Sequence, residues 1–379
     1  MAFDFIQQQL NQQKNQSRYR QRVCIAEQSG REVVIDGKRY LNFSSNDYLA
    51  LNRHPDIDNA MQVGIDKYGL CASASSLITG FHYAHRALED EICQWLNKPK
   101  CLLFSSGFSA NVGVLNALGQ ENVNFWLDKL SHASIIDGAL SSKATTKRFL
   151  HNNTEQLSQW LKSTSSENNL IVSEGVFSMD GDQADIKSLA TLAKAHQAWL
   201  YLDDAHSIGV IGDKGQGSVS QANIDIVMAT FGKAIATSGA FVACEQDVFD
   251  YLVNYARHYI YSTAISPALA WATKKSIEII QAEAWRRDKI NELSCHLANR
   301  LHQDVKLIST ASSIHAIVIG KEEKALAVCE ELKQQGIWLT AIRPPTVPVN
   351  SSRLRITVCA SHNVNDINQL ADCLNRVIV

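Results

Sequence analysis

The stretch DIVMATFGKAIATSGAFVAC, residues 225–244, sets two short apolar runs, 226–228 and 240–243, on either side of a loop punctuated by Gly232 and Gly239. Each run has the length and continuity of a buried strand. The loop is too short for a helical crossover, so the second strand is expected to be an antiparallel neighbour of the first. Lys233 falls at the end of the first strand. An ammonium group partly removed from water there gives up its proton more readily, and the free amine attacks carbonyl carbon. The same lysine also reads as a solvated turn residue, and this segment by itself leaves both readings open.

Working outward, KCLLFSS (100–106), NFWLDKL (124–130), NLIVSEG (169–175) and AWLYLDDAH (198–206) are further short apolar runs, mostly separated by amphipathic segments of helix length. Strands in that order predict an α/β fold with a mostly parallel sheet covered by helices on both faces. Upstream, REVVIDGKRYLN (31–42) alternates around Asp36 and Gly37, which predicts a β-hairpin. Phe3, Ile6 and Leu10 recur at helical spacing in a Gln-rich start, read as a short helix docked by one face or as a frayed tail. After Pro267 a helical stretch runs to about Arg300, and IHAIVIG, GIWLTAIRPP and SRLRITVCA make a smaller α+β unit. The expected boundaries are 1–45 for the N-terminal segment and hairpin, 46–280 for the large domain and 281–379 for the small one.

The 36 basic and 38 acidic residues nearly cancel, which argues against a nucleic-acid-binding stripe and for small-molecule partners. Nine scattered cysteines without C-x-x-C spacing read as reduced thiols. The N-terminus lacks the apolar core of a signal peptide and no run approaches the roughly 18 apolar residues of a membrane span, so a cytoplasmic protein is expected.

In open parallel sheets ligands bind beyond the carboxyl ends of the strands, so the polar residues just after the apolar runs are the site candidates. FSSGFSANVGVL (104–115) puts Ser106, Gly107 and Phe108 where a strand yields to a helix, a place that attracts phosphate or is a plain connection. YLDDAHSIGVIG (201–212) offers Asp203, Asp204 and His206. A metal site would need further ligands at suitable spacing, and His82 and His85 read as a helix surface. A cofactor site needs one carboxylate beneath a heterocyclic nitrogen. His132, in DKLSHASIIDGAL (128–140), suits stacking on a flat ring or capping a helix, and Ser178 in SEGVFSMDGD (173–182) suits either a site or a turn.

Together S-G-F-x-A-N, L-S-H-A-S, E-G-V-F-S-M-D-G-D, D-D-A-H, T-F-G-K and I-R-P-P-T-V-P resemble the α-oxoamine synthase family of fold-type-I pyridoxal phosphate enzymes, from about Arg20 to the C-terminus. The resemblance implies that Lys233 carries the aldehyde of pyridoxal 5'-phosphate, Asp203 faces the pyridine nitrogen, and His206 bonds the phenolic oxygen with Ser178 nearby. It implies that His132 stacks on the ring and that Gly107, Phe108 and Thr230 surround the phosphate. Arg20, His132, Thr346 and Arg355 match substrate-side positions, Arg355 gripping a carboxylate through two parallel bonds. The implied reaction joins L-alanine to a pimeloyl thioester, on coenzyme A or an acyl carrier protein, with loss of CO2, in biotin biosynthesis. A sister synthase that condenses glycine with another acyl thioester would share every cofactor residue, and a non-catalytic binding protein would not need to keep them together. The family resemblance also implies a homodimer, which the polar N-terminal segment and the aromatic ARHYIYST stretch (256–263) suit. One departure is GLCASASSLITG (69–80), with Ala and Ser where the family commonly has glycine, which leaves the acyl entrance and chain length open.

Overall fold

The structure, a computed structural model, describes residues 2–308 and 310–379. It divides into two compact units, one of residues 51–178 and 183–287, the other of 1–50, 179–182 and 288–379.

In the first unit, seven strands form one sheet in the order Lys100–Phe104, Ala240–Cys244, Ile226–Thr230, Trp199–Asp203, Asn168–Glu174, Val123–Asp128 and Thr145–Phe149. Ala240–Cys244 runs antiparallel to both neighbours, as the short 231–239 loop requires. The other pairings are parallel. Alternate residues of the same strands enter two different cores. Leu170 and Val172 pack on one face with Phe104, Val114, Phe125, Tyr201 and Met228. Ile171 faces the other way, with Trp126, Leu157, Leu189, Leu200 and Val227. Burying both faces is why these strands read as continuous apolar runs, and each fully buried Leu or Ile contributes about 1.5–3 kcal/mol.

Helix ends in this unit follow local chemistry. Pro267 sits in the first turn of Pro267–Ala282, behind the Ser266 cap. The helical stretch expected to run to about Arg300 is two helices, stopping at Ala282 and resuming at Trp285, because Glu283 leaves helical geometry with ψ at 64°. The 256–263 stretch forms the short helix Arg257–Ile260. Its Tyr259 is buried, whereas Tyr261 is exposed beneath the Arg257 guanidinium at 5.0 Å.

In the second unit, Glu32–Ile35 and Lys38–Asn42 form the expected hairpin. Asp36 and Gly37 both take positive φ, 50° and 71°, as the tight hairpin turn demands. Ser352–Thr357 lies between Ile314–Gly320 and Thr340–Ile342 in a three-stranded antiparallel sheet. Helices Glu322–Gln334 and Val364–Ile378 close a core of Leu293, Leu297, Leu332, Leu354, Ile356 and Leu370. The helix Phe5–Asn15 exists, yet it buries none of its residues, so the expected docked face is not docked on this chain.

Candidate active site

Five polar groups of the first unit come together beyond the carboxyl ends of its strands. Asp203, Thr230 and Glu174 are the last residues of their strands, His132 caps the helix Ala133–Leu140, and Lys233 lies three residues past Thr230. With Gly107, Phe108, Asn111, Ser134, Ala205 and His206 they line a cavity of about 200 Å³.

The loop that carries Lys233 is stitched by its own backbone. Phe231 N–H reaches the Gly239 carbonyl at 2.9 Å, and Thr237 N–H reaches the Phe231 carbonyl at 2.9 Å. Gly239, with φ at 116°, makes the return into the next strand possible. The Lys233 Nζ then sits 2.7 Å from His206 Nε2. At the helix Gly107–Leu118, Ser106 and Ser109 cap reciprocally, each side chain bonding the other's N–H at 3.1 Å. The first N–H groups of such a helix have no intrahelical acceptor and attract anions.

Asp203 and Asp204 have opposite fates. Asp203, 5% exposed, accepts from Asn111 Nδ2 at 2.7 Å and from Ala205 N–H at 3.0 Å, facing the cavity. Asp204 turns into the protein, where Ser218 N–H and Oγ reach it at 2.7 and 2.6 Å and burial pushes its carboxyl up to about 6. It anchors the 204–218 loop. A Cβ on Gly217 would fall 2.1 Å from its Oδ2.

Glu174 is paired in register with Asp203 on the adjacent strand. It accepts His132 N–H at 2.5 Å, and burial beside Asp203 drives its pKa well above the usual carboxyl range. Two neighbouring carboxyls therefore differ: Asp203 has two donors, and burial raises the pKa of Glu174. Burial also lowers the His132 pKa.

Ser178 lies in the turn after Val176 and outside the cavity lining. Arg355, Arg20 and Thr346 belong to the second unit. Arg355, 8% exposed, donates to Thr357 Oγ1 at 3.2 Å and to Asn46 Oδ1 at 3.1 Å. Arg20 and Thr346 are exposed and 3.5 Å apart. His85, expected on a helix surface, is instead buried, between His82 N–H at 2.9 Å and the Ile265 carbonyl at 2.8 Å. No group of three or more potential metal ligands occurs among the described residues. Asn111, Ser134, Tyr201 and Glu174 were missed as site residues in the sequence. Glu174 obeys the strand-end rule and could have been found by it; Asn111 lies one helical turn past Gly107.

Residues 38–374 match the family of class I and II aminotransferases. The chain belongs to that family. It is similar to 8-amino-7-oxononanoate synthase from Photobacterium profundum, 45% identical over 98% of this chain and 96% of that one. The like-named protein of Vibrio cholerae is 44% identical over 98% and 97%. Among solved structures, serine palmitoyltransferase of Sphingomonas wittichii aligns with a TM-score of 0.92 at 27% identity, covering 99% of this chain and 96% of that one. Serine palmitoyltransferase from S. paucimobilis with PLP and myriocin bound aligns at 0.90 and 27%, covering 99% and 97%. The 8-amino-7-oxononanoate synthase of Francisella tularensis aligns at 0.77 and 27%, covering 89% and 97%. These alignments establish the fold-type-I transferase architecture for this chain.

Proposed function

We propose that this chain is an acyltransferase of biotin synthesis, condensing L-alanine with a pimeloyl thioester to give 8-amino-7-oxononanoate, CO2 and free thiol, with pyridoxal 5'-phosphate as its cofactor. The observation that carries this is the meeting of Lys233, Asp203, His132 and His206 in one cavity of a chain whose relatives bear that name.

The donor set fits the cofactor. Lys233 offers an amine for an aldehyde, Asp203 a fixed carboxylate for a ring nitrogen, and His206 an imidazole for a phenolic oxygen. His132 supplies a flat partner, and the helix start at Gly107 and Phe108, with Thr230, supplies donors for phosphate. When bound, the cofactor supplies an electron sink for the bonds at Cα. The protein supplies the rest. Lys233 would hold the cofactor's aldehyde, and its amine, when free, would serve as the base for the Cα proton. His206 holds the Nζ at 2.7 Å and so limits where that base can point. Asp203 keeps a proton on the ring nitrogen. Arg355 is assigned to the alanine carboxylate, a bidentate task for which its guanidinium is already held by Asn46 and Thr357. Arg20 and Thr346 are assigned to the acyl substrate, and Ser178 to the cofactor's surroundings.

The working unit is a homodimer, supported by the undocked helix Phe5–Asn15 and by the exposed Tyr261 with Arg257. Among the described residues no helix is long and apolar enough to cross a membrane. Nine free cysteines support a reducing cytoplasm. Incubating the purified protein with alanine and pimeloyl-CoA or pimeloyl carrier protein, and weighing the product by mass spectrometry, tests the assignment. Faster turnover of glycine with a shorter or longer acyl donor would move it to a sister synthase.

A further inference from the structure

The polar atoms behind the cavity form one hydrogen-bonded chain from Asp203 to His132, and the Ser134 backbone N–H sets its direction at the imidazole. We propose that Asn111 is a positioning residue whose amide links the charge of Asp203, through Ser134, to the tautomer of His132, holding that imidazole neutral with its proton on Nε2. The proposal rests on the pyridoxal phosphate reading only for what the arrangement is for; the chain of bonds stands without it.

Its logic starts at Asp203. An ionised carboxylate only accepts, so the Asn111 atom 2.7 Å from Asp203 Oδ2 is the nitrogen and the other is the oxygen. Tyr201 Oη, 2.5 Å from that oxygen, must then donate to it, which locks the amide against turning over. Nδ2 has a second hydrogen, and it points to Ser134 Oγ at 2.9 Å. Having accepted there, the Ser134 hydroxyl is free to donate to His132 Nδ1 at 2.7 Å, while Ser134 N–H approaches the same nitrogen at 3.3 Å. Two donors on Nδ1 leave no place for a proton of its own. The proton of a neutral ring is therefore on Nε2. Asn111 and Ser134 are fully buried, with Tyr201 beside them, so no bulk water competes for these bonds. The charged groups facing His132 are Asp203 and Asp137, which favour its cation, and Lys233, which opposes it. Glu174 meets its backbone N–H. Were Asp203 neutral, the amide would lose the charge that orients it and the side-chain bonds through Asn111 and Ser134 Oγ could reverse, leaving only the Ser134 N–H, at 3.3 Å, to oppose a proton on Nδ1. The electron-sink residue and the stacking residue are thus one switchable unit.

Long-range ¹H–¹⁵N spectra of the full-length, PLP-loaded protein with labelled histidine read the tautomer directly, with His132→Gln assigning the signal. Wild type is expected to show His132 protonated on Nε2 near pH 7.5. Ser134→Ala should populate the Nδ1–H form and move the His132 titration upward, because a bond that favoured the neutral ring is gone. Asp203→Asn should also populate the Nδ1–H form, while the loss of a charge that favours the His132 cation moves the titration downward. Tyr201→Phe, which only unlocks the amide, should give a smaller change in the same direction as Ser134→Ala and serves if either other variant fails to fold. A wild-type His132 carrying its proton on Nδ1, or a tautomer and titration unmoved in the variants that fold, overturns the inference. A wild type that does not take up PLP overturns the cofactor reading alone, since the tautomer can be read in either state.

Discussion

Lys233 Nζ has His206 at 2.7 Å and opens on the same cavity as Asp203 and Glu174. Lys233→Ala is expected to lower condensation by at least roughly 10²–10⁴-fold, the usual contribution of a positioned general base, while the melting curve stays close to wild type because the side chain is half-exposed. A variant that still condenses alanine at the wild-type rate would remove Lys233 from the mechanism. A second residue-scale prediction concerns His315. It is buried, its Nε2 has no hydrogen-bond partner among the described residues, and burial lowers its pKa to about 4. The unfolded chain takes up that proton near pH 6.5 and the folded protein only near pH 4, so stability falls as pH drops through that window, by about 3 kcal/mol for this group. Urea midpoints at pH 7 and 4.5 should converge in His315→Leu relative to wild type. An equal acid loss in both proteins would rule the residue out.

At the scale of elements, the turn 179–182 shows why one glycine is obligatory. Gly181 has φ at 76°, and a Cβ there would stand 2.2 Å from the Ile314 carbonyl oxygen. Gly181→Ala should therefore cost about 1–3 kcal/mol or more, read as a lower denaturation midpoint; a midpoint within error of wild type would mean that the turn relaxes freely. The helix Gly107–Leu118 gives the complementary case, in which a side chain rather than its absence sets the boundary. Ser106→Ala removes half of the reciprocal cap and should cost about 1 kcal/mol. If the helix start holds phosphate, the same change should also weaken PLP binding, measurable by dialysis against graded cofactor, and unchanged affinity would separate the cap from the site.

On the scale of the whole molecule, a helix that buries none of its residues and an exposed Tyr261 beside Arg257 are expected to be covered by a second copy. Sedimentation of the PLP-loaded protein should give a species of twice 42.0 kDa, and deletion of residues 2–15 should weaken it. A fully active monomer would end the dimer proposal. The strands and their order of appearance were legible in the sequence because a two-faced sheet demands unbroken apolar runs, and Ile226–Thr230 and Ala240–Cys244 are such runs with only nine residues between them. Lys233, His132, Asp203, His206, Gly107 and Phe108 share one cavity lining for a related reason: each follows a run, and chain order alone puts strand ends on one edge of a parallel sheet, whereas Thr230 came only from the family resemblance. Ser178 follows a run too, and the turn takes it out of the cavity lining. What the sequence could not determine was everything set by atoms meeting across the sheet. Asp203 and Asp204 are adjacent and chemically alike, and only the opposite sides to which they point make one a cavity anion and the other a loop anchor. The raised pKa of Glu174 comes first from burial and then from Asp203, and both exist only once strand pairing has set the two side by side. Asn111, Ser134 and Tyr201 are ordinary helix and strand residues whose hydrogen bonds span 23 to 92 positions, and such bonds exist only once the chain has folded.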